Sequence, residues 1–96
     1  MGKRAYWYGH AKKMCKRYHE NTNSLQELIF KSAIDGTIDE ITKQENGKVK
    51  LQVINMVLLD QTDNITSAAR KVNYSPDTVY PWISEFIKRV GEKAGF

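Results

Sequence analysis

The spacing of hydrophobic residues along the chain predicts a succession of helices. The first helix runs from about Arg4 to His19. Its apolar positions recur at intervals of three and four residues, as on one face of an α-helix, at Trp7, Ala11, Met14 and Tyr18. The opposite face of this helix is basic. We therefore expect an amphipathic helix whose polar side faces solvent or a ligand.

A second helix begins after the segment "ENTNS". Ser24 followed three residues later by Glu27 is the pattern of a capping box. Leu25, Leu28 and Ile29 open an apolar face, and the pattern continues through Ala33. Gly36 is a typical helix terminator, so we expect the helix to stop there.

The segment 37–53 allows two interpretations. Residues 37–42 suit either a strand or a short helix, and residues 48–53 alternate with a period of two after the turn dipeptide Asn46-Gly47, which is typical of a β-hairpin. Against the hairpin, the apolar residues that follow repeat at helical spacing, namely Val53, Ile54, Val57 and Leu58. We expect a loop followed by a helix from about Lys48 to Asp60, with the hairpin as the alternative.

The last third of the chain predicts two helices joined by a short turn. Asp63 or Asn64 can cap a short helix that runs from Ile65 to Val72. Asn73 and Tyr74 form the bend, and asparagine tolerates the left-handed conformation that such a bend requires. The final helix runs from its Ser75 cap to about Lys93, with Pro76 at the first helical position and with inward positions at Val79, Ile83, Phe86 or Ile87, and Val90.

This arrangement is the pattern of a helix-turn-helix at residues 50–93. Ala69 is small where the two helices cross, Val72 and Val79 fill the angle between them, and Tyr74 is expected to plug the turn. The predicted fold is a small all-α domain. It comprises an N-terminal helical region at residues 1–47 with a basic first helix and a helix-turn-helix region at residues 48–96, both sharing one core.

Charge is unevenly distributed along the chain, whose net charge is +4. Residues 1–18 carry six basic side chains and no acid, residues 25–46 carry five acids against two lysines, and residues 65–96 carry five basic side chains against three acids. A basic start and a mildly basic end favour contact with a polyanion. Double-stranded DNA is the expected partner of a helix-turn-helix.

The exposed start of the last helix carries few side chains that read bases well. None of its exposed positions is Arg, Lys, Asn or Gln, the residues that make the strongest base contacts. Weaker contacts to bases or phosphates are expected from Ser75, Thr78, Tyr80 and Ser84. Phosphate contacts are expected from Arg70, Lys71, Lys88 and Arg89, and from the basic face of the first helix at Lys12, Lys13, Lys16 and Arg17. Specificity is then expected from a homodimer or from a partner protein.

Pro81 lies inside the predicted last helix. An interior proline costs about 3 kcal/mol, less near the N-terminus, because it lacks an amide hydrogen and crowds the preceding turn. It leaves the carbonyl of Asp77 without its helical donor. We expect a bent or loosened first turn, frayed through about Tyr80.

The residues "ITSAARKVNYSPDTVYPWISEFIKRVGEKAGF" resemble the C-terminal end of phage and prophage transcriptional regulators of the RinA and ArpU type. The features in common are Ala68, Ala69, Ser75, Thr78, Val79, Tyr80, Trp82, Gly95 and Phe96. The earlier segment "AYWYGHAKKM" is loosely similar to an aromatic and basic segment of such proteins. The resemblance implies a sigma-factor-like helix-turn-helix that activates phage late genes through promoter DNA and RNA polymerase.

Other functional classes find little support. The single cysteine, Cys15, excludes an internal disulfide, and Cys15 with His10 and His19 is too small a set for zinc, so we interpret these three as surface residues. No nucleotide-binding loop or catalytic motif indicates an enzyme or a cofactor. No segment predicts a membrane span or a secretion signal, so we expect a cytoplasmic protein. The remaining alternatives are a protein–protein interaction module and a phage DNA-packaging accessory protein of the small-terminase kind.

Overall fold

The computed structural model describes residues 2–20 and 24–95, with side chains from Tyr8 onward. Within these ranges the chain is all-α. Five α-helices follow one another, with no strand in the described part: α1 (Gly2–Lys16), α2 (Leu25–Thr42), α3 (Gly47–Ile54), α4 (Ile65–Lys71) and α5 (Pro76–Lys93). A π-helical segment, Asn55–Leu59, continues α3 without a break. No described helix is both long enough and apolar enough to cross a bilayer.

Helix α1 buries the stripe that its sequence predicts. Ala11 and Met14 are buried and Tyr18, in the turn after the helix, is half-buried, whereas the side chain of Trp7 lies outside the described part. Cys15 is also fully buried, so the expectation of a surface cysteine is wrong. The reason is the width of the stripe: positions 11, 14, 15 and 18 all fall on the face that packs against the core.

Helix α2 begins at the predicted cap. The backbone amide of Glu27 donates to the Ser24 hydroxyl at 3.1 Å, which confirms Ser24 as the cap of this helix. The predicted stop at Gly36 is wrong, because the helix continues to Thr42. Burial of the later residues keeps α2 helical past the glycine, and the buried positions are Phe30, Ala33, Ile34, Thr37 and Ile41.

The predicted apolar face of α2 is wrong at its start, although Ala33 is buried as predicted. Leu25, Leu28 and Ile29 point away from the core and are exposed by 74%, 54% and 43%. The true core-facing stripe begins one residue later, at Phe30, on the opposite side of the helix. An outward row of large apolar residues thus remains on the surface of this helix.

The segment after α2 forms no hairpin. Residues 37–42 complete α2, and a tight turn at residues 43–46 leads directly into α3. Gly47 is required by this turn, because a Cβ atom there would lie 1.9 Å from the carbonyl oxygen of Ile41. The dipeptide Asn46-Gly47 therefore allows two helices to approach closely. The predicted helix from Lys48 to Asp60 is confirmed to within a residue at each end.

The helix-turn-helix is formed by α4, a short turn and α5. The side chain of Asn64 accepts from the amide of Ser67 at 2.8 Å and caps α4. Asn73 adopts φ = 63°, the left-handed conformation expected of the bend. Tyr74 does not plug the turn. It is 39% exposed, and its ring packs edge-on against Trp82, with centroids 5.2 Å apart.

Helix α5 packs against all four other helices. Its buried residues are Val79, Ile83, Phe86, Ile87 and Val90 at the predicted positions, together with Gly91. Ser75 caps the helix, Pro76 starts it, and the helix is continuous through Pro81. The predicted fraying of the first turn is therefore wrong. Pro81 is exposed, and packing of the buried face holds the turns on either side of it.

Candidate nucleic-acid interface

The exposed face of α5 presents three of the predicted contact residues to solvent. Ser75 and Thr78 are exposed at its N-terminus, and Tyr80 is 57% exposed. Ser84, one turn further on, is half-buried and so less exposed than these three residues. The hydroxyls of Ser75 and Thr78 lie 2.9 Å apart and share a hydrogen bond, while Ser75 also accepts from the amide of Thr78 at 3.3 Å. These two hydroxyls are therefore already engaged in capping the helix, and a contact with DNA would be additional to that role.

Helix α1 lies beside this face of α5 and forms one wall of an open groove of about 770 Å³. Lys12 and Lys16 line the groove from α1, and Tyr80 and Ser84 line it from α5. The floor and far wall come from the end of the π-helical segment and from residues 61–66 at the start of α4. The structure thus brings together residues that are more than 60 positions apart in the sequence.

Two hydrogen bonds fix the end of α1 at the groove. The Gln61 side-chain amide donates to the carbonyl oxygen of Lys16 at 2.8 Å. His19 Nε2 lies 2.8 Å from the carboxylate of Asp60. Both bonds join the end of α1 to the turn that precedes α4, so the basic face of α1 is held in a fixed position relative to the helix-turn-helix.

Several of the cations predicted to contact DNA have no acidic partner among the described residues. Lys12, Lys13 and Lys16 are exposed, and none forms an ion pair with any described residue. The same holds, within the described part of the chain, for Arg70 at the end of α4 and for Lys88 on α5. Lys88 follows Ser84 by four residues and so lies on the same side of α5. Unpaired cations of this kind are available to phosphates at no cost in broken ion pairs.

Three other predicted cations are already paired within the chain. Arg17 pairs with Glu20 at 3.1 Å and with Glu27 at 2.8 Å. Arg89 lies 3.1 Å from Glu85 and 3.7 Å from Glu40. A phosphate would compete with these carboxylates, so both arginines are weaker candidates than their exposure suggests.

Lys71 is the third paired cation, and its partner is nearly buried. Its ammonium group lies 2.8 Å from Asp63, whose side chain is only 4% exposed. Asp63 also accepts from Ser67 at 2.7 Å and from Thr62 at 2.8 Å. The hydrogen bond from Lys71, followed by those from Ser67 and Thr62, lowers the pKa of the Asp63 carboxyl to about 2. Lys71 therefore secures the turn before α4.

The groove also includes polar residues for which the sequence predicted no contact with DNA. Gln61 and Thr66 are exposed there, and Asn64 contributes its cap. Gln61 adopts φ = 55°, a left-handed conformation that few side chains adopt. The first helix of a helix-turn-helix crosses the DNA backbone, so the place of these residues at the start of α4 already favours contact with phosphates.

Residues 49–90 match the family model of the helix-turn-helix domain. The match begins in α3, includes α4 and the turn, and ends within α5. Residues 49–90 form a helix-turn-helix domain. This match suggests DNA binding, and it does not distinguish regulators of the RinA and ArpU type from other helix-turn-helix proteins. No curated protein and no solved structure shows significant similarity to the chain.

Proposed function

We propose that this protein is a DNA-binding transcription regulator of phage or prophage origin. In this proposal α5 approaches the major groove of double-stranded DNA, and the basic face of α1 contacts the phosphates alongside. The matched helix-turn-helix domain supports the DNA-binding part. The resemblance to RinA- and ArpU-type regulators supports the transcriptional part and makes RNA polymerase a candidate partner.

One observation carries the proposal. Lys12 and Lys16 have no acidic partner among the described residues, and they line the same groove as Tyr80 on α5. A cation gains most from a phosphate when no carboxylate already neutralises it. The position of Lys12 and Lys16 beside α5 supports this role, and the bond from Gln61 to the backbone carbonyl oxygen of Lys16 ties α1 to the turn before α4.

In this proposal the protein binds DNA mainly through phosphates and discriminates only weakly between base sequences. Tyr80 is the largest exposed polar side chain at the start of α5, and no Arg, Lys, Asn or Gln lies within residues 75–84. Phosphate contacts supply affinity without sequence information. A preferred site would therefore depend on Tyr80 and on a second binding protein or a second copy.

A protein–protein interaction module is the second candidate. The exposed Leu25, Leu28 and Ile29 on α2 favour it, because large apolar residues clustered on a surface mark contact sites. The two functions are compatible, since this row and the basic groove share no residue. A DNA-packaging accessory role would use the same DNA-binding groove.

Alanine variants tested with a fluorescent random-sequence duplex in about 50 mM salt decide whether the groove binds DNA. Lys12→Ala and Lys16→Ala should each weaken binding by about 3- to 10-fold, because each removes a phosphate contact. Lys43→Ala is the matched control: Lys43 is exposed but pairs with Asp39 at 3.3 Å, outside the groove. Equal losses in all three variants would contradict the proposed position of the DNA.

A further inference from the structure

The outward face of α2 carries the largest cluster of exposed apolar side chains in the described part of the chain. Of the five large hydrophobic residues exposed in the described part of the chain, three, Leu25, Leu28 and Ile29, occupy a single turn of this helix. Single exposed apolar residues are ordinary, but adjacent ones mark an interface. The N-terminal half of this face therefore has the composition of a contact surface.

The C-terminal half of the same face carries small side chains. Ser32 and Gly36 follow Leu28 at intervals of four residues and form one row along α2, and Ala33 follows Ile29 in the neighbouring row. Leu28, Ile29 and these small residues line a shallow groove that the side chain of Lys93 closes on one side. Large side chains at one end of the helix are thus followed by a depression at the other.

The chain's own packing does not require the glycine in this depression. A Cβ atom at Gly36 would meet only the flexible side chain of Lys93, at 3.7 Å, which is an ordinary contact. A glycine inside a helix costs about 0.5–1 kcal/mol relative to alanine. Since the monomer gains no close approach from Gly36, a second helix that packs there would account for it.

We propose that this face joins two copies of the chain as an antiparallel α2–α2 pair about a two-fold axis near Ser32. A two-fold interface brings the same surface of both copies together, so the complementary halves must lie on one face. Leu28 of each copy fits against Gly36 of the other copy. Leu25 lies one turn before Leu28 and therefore reaches beyond that Gly36. The close approach follows from the small residues where the two rows cross.

Charge permits this pairing even though the middle of the chain is acidic. The row from Leu25 to Gly36 contains no charged residue. Three acids of α2 beside it form ion pairs within the chain: Glu27 with Arg17 at 2.8 Å, Asp39 with Lys43 at 3.3 Å, and Glu40 with Lys93 at 2.5 Å. The fourth, Asp35, accepts a hydrogen bond from the Tyr18 hydroxyl. Two copies therefore meet through an uncharged row whose neighbouring acids each have a partner within their own chain, and the inference does not rest on DNA binding.

Sedimentation equilibrium of the full chain, up to about 1 mM, tests the pairing. We expect a concentration-dependent dimer of twice the 11.1 kDa chain. Leu28→Asp should weaken association by at least about 30-fold, the size expected of a central apolar contact. Gly36→Gln should do the same by filling the depression, while raising the thermal midpoint of the monomer, because glutamine is the better helix former.

Gln52→Asp, an exposed position on α3 outside the row, is the control and should remain dimeric. If Leu28→Asp fails to fold, Gly36→Gln alone decides the outcome. Ser32→Cys should also cross-link under mild oxidation, because two copies of residue 32 face each other at the axis, whereas Gln52→Cys should not. A wild-type monomer at every concentration overturns the proposal, as does a dimer that persists in Gly36→Gln.

Discussion

The side-chain amide of Gln61 donates a hydrogen bond of 2.8 Å to the backbone carbonyl oxygen of Lys16, the last residue of α1. The last carbonyls of a helix have no partner within it, so this bond satisfies a group that would otherwise need water. It also crosses from the turn before the helix-turn-helix to the basic helix. The position of Lys12 and Lys16 therefore depends on a residue 45 positions away from Lys16.

Substitution of Gln61 should separate stability from DNA binding. Gln61→Ala removes the hydrogen bond and should lower the free energy of unfolding by about 1 kcal/mol. Gln61→Gly removes the same bond but relieves the left-handed backbone at φ = 55°, so its loss of stability should be smaller. Both should weaken DNA binding equally, because both release α1. Urea unfolding and fluorescence anisotropy measure the two effects, and a glycine variant less stable than the alanine one would contradict this account.

Acid should weaken the turn before α4 through Asp63. Its pKa is lowered in the folded chain to about 2 from an ordinary value of 3.8. A lowered pKa means that the carboxylate stabilises the fold above the ordinary value, and that this contribution is lost as pH falls from about 4 towards 2. The urea midpoint of the wild type should fall over this interval more than that of Asp63→Asn. The Asp63 carboxyl carbon shift should titrate higher in Lys71→Ala, and an unchanged titration would remove Lys71 as the cause.

Pro81 should lower the free energy of unfolding without any structural benefit to the monomer. Pro81→Ala supplies an amide for the carbonyl of Asp77 and should raise the free energy of unfolding by about 1–2 kcal/mol. Pro76→Ala is the control, because proline at the first helical position loses no hydrogen bond, and its effect should be near zero. Pro81→Arg should add a DNA contact as well as stability. If Pro81→Arg leaves DNA affinity unchanged, residue 81 points away from the duplex.

Cys15 should be inert in the folded protein. It is fully buried, and burial raises its pKa to about 12, so almost no thiolate exists near neutral pH. A thiol reagent at about pH 8 should react with the native chain only as fast as the protein unfolds, and at once in denaturant. A Gln52→Cys variant provides the exposed control thiol. Fast labelling of the native wild type would show that α1 opens locally.

Local signals predicted the fold well where one residue determines a helix end. Ser24, Asn64 and Ser75 each cap the helix predicted for them, and Asn73 takes the left-handed bend, because these effects involve only neighbouring backbone groups. Gly36 misled the prediction because its terminating tendency of about 1 kcal/mol is smaller than the gain from burying Ile41 and its neighbours.

The candidate site was less accessible to sequence reasoning, since it depends on contacts between distant segments. No local pattern shows that Arg17 also pairs with Glu27 or that Lys71 pairs with Asp63. Nor does the sequence show that Lys12 is left without an ion pair beside Tyr80. The exposure of Leu28 was missed for a related reason. Helical periodicity locates an apolar row but does not say whether the fold covers it or leaves it for another molecule.

Titration of a random-sequence duplex against salt tests the central claim most directly. If Lys12 and Lys16 contact phosphates, the logarithm of the affinity should fall linearly with the logarithm of salt concentration, by about 0.9 per phosphate contacted. The Lys12→Ala/Lys16→Ala double variant should lower that slope by about 2, and Lys43→Ala should leave it unchanged. Absence of binding in low salt, or a slope that the double variant does not alter, would contradict the proposal that this groove binds DNA.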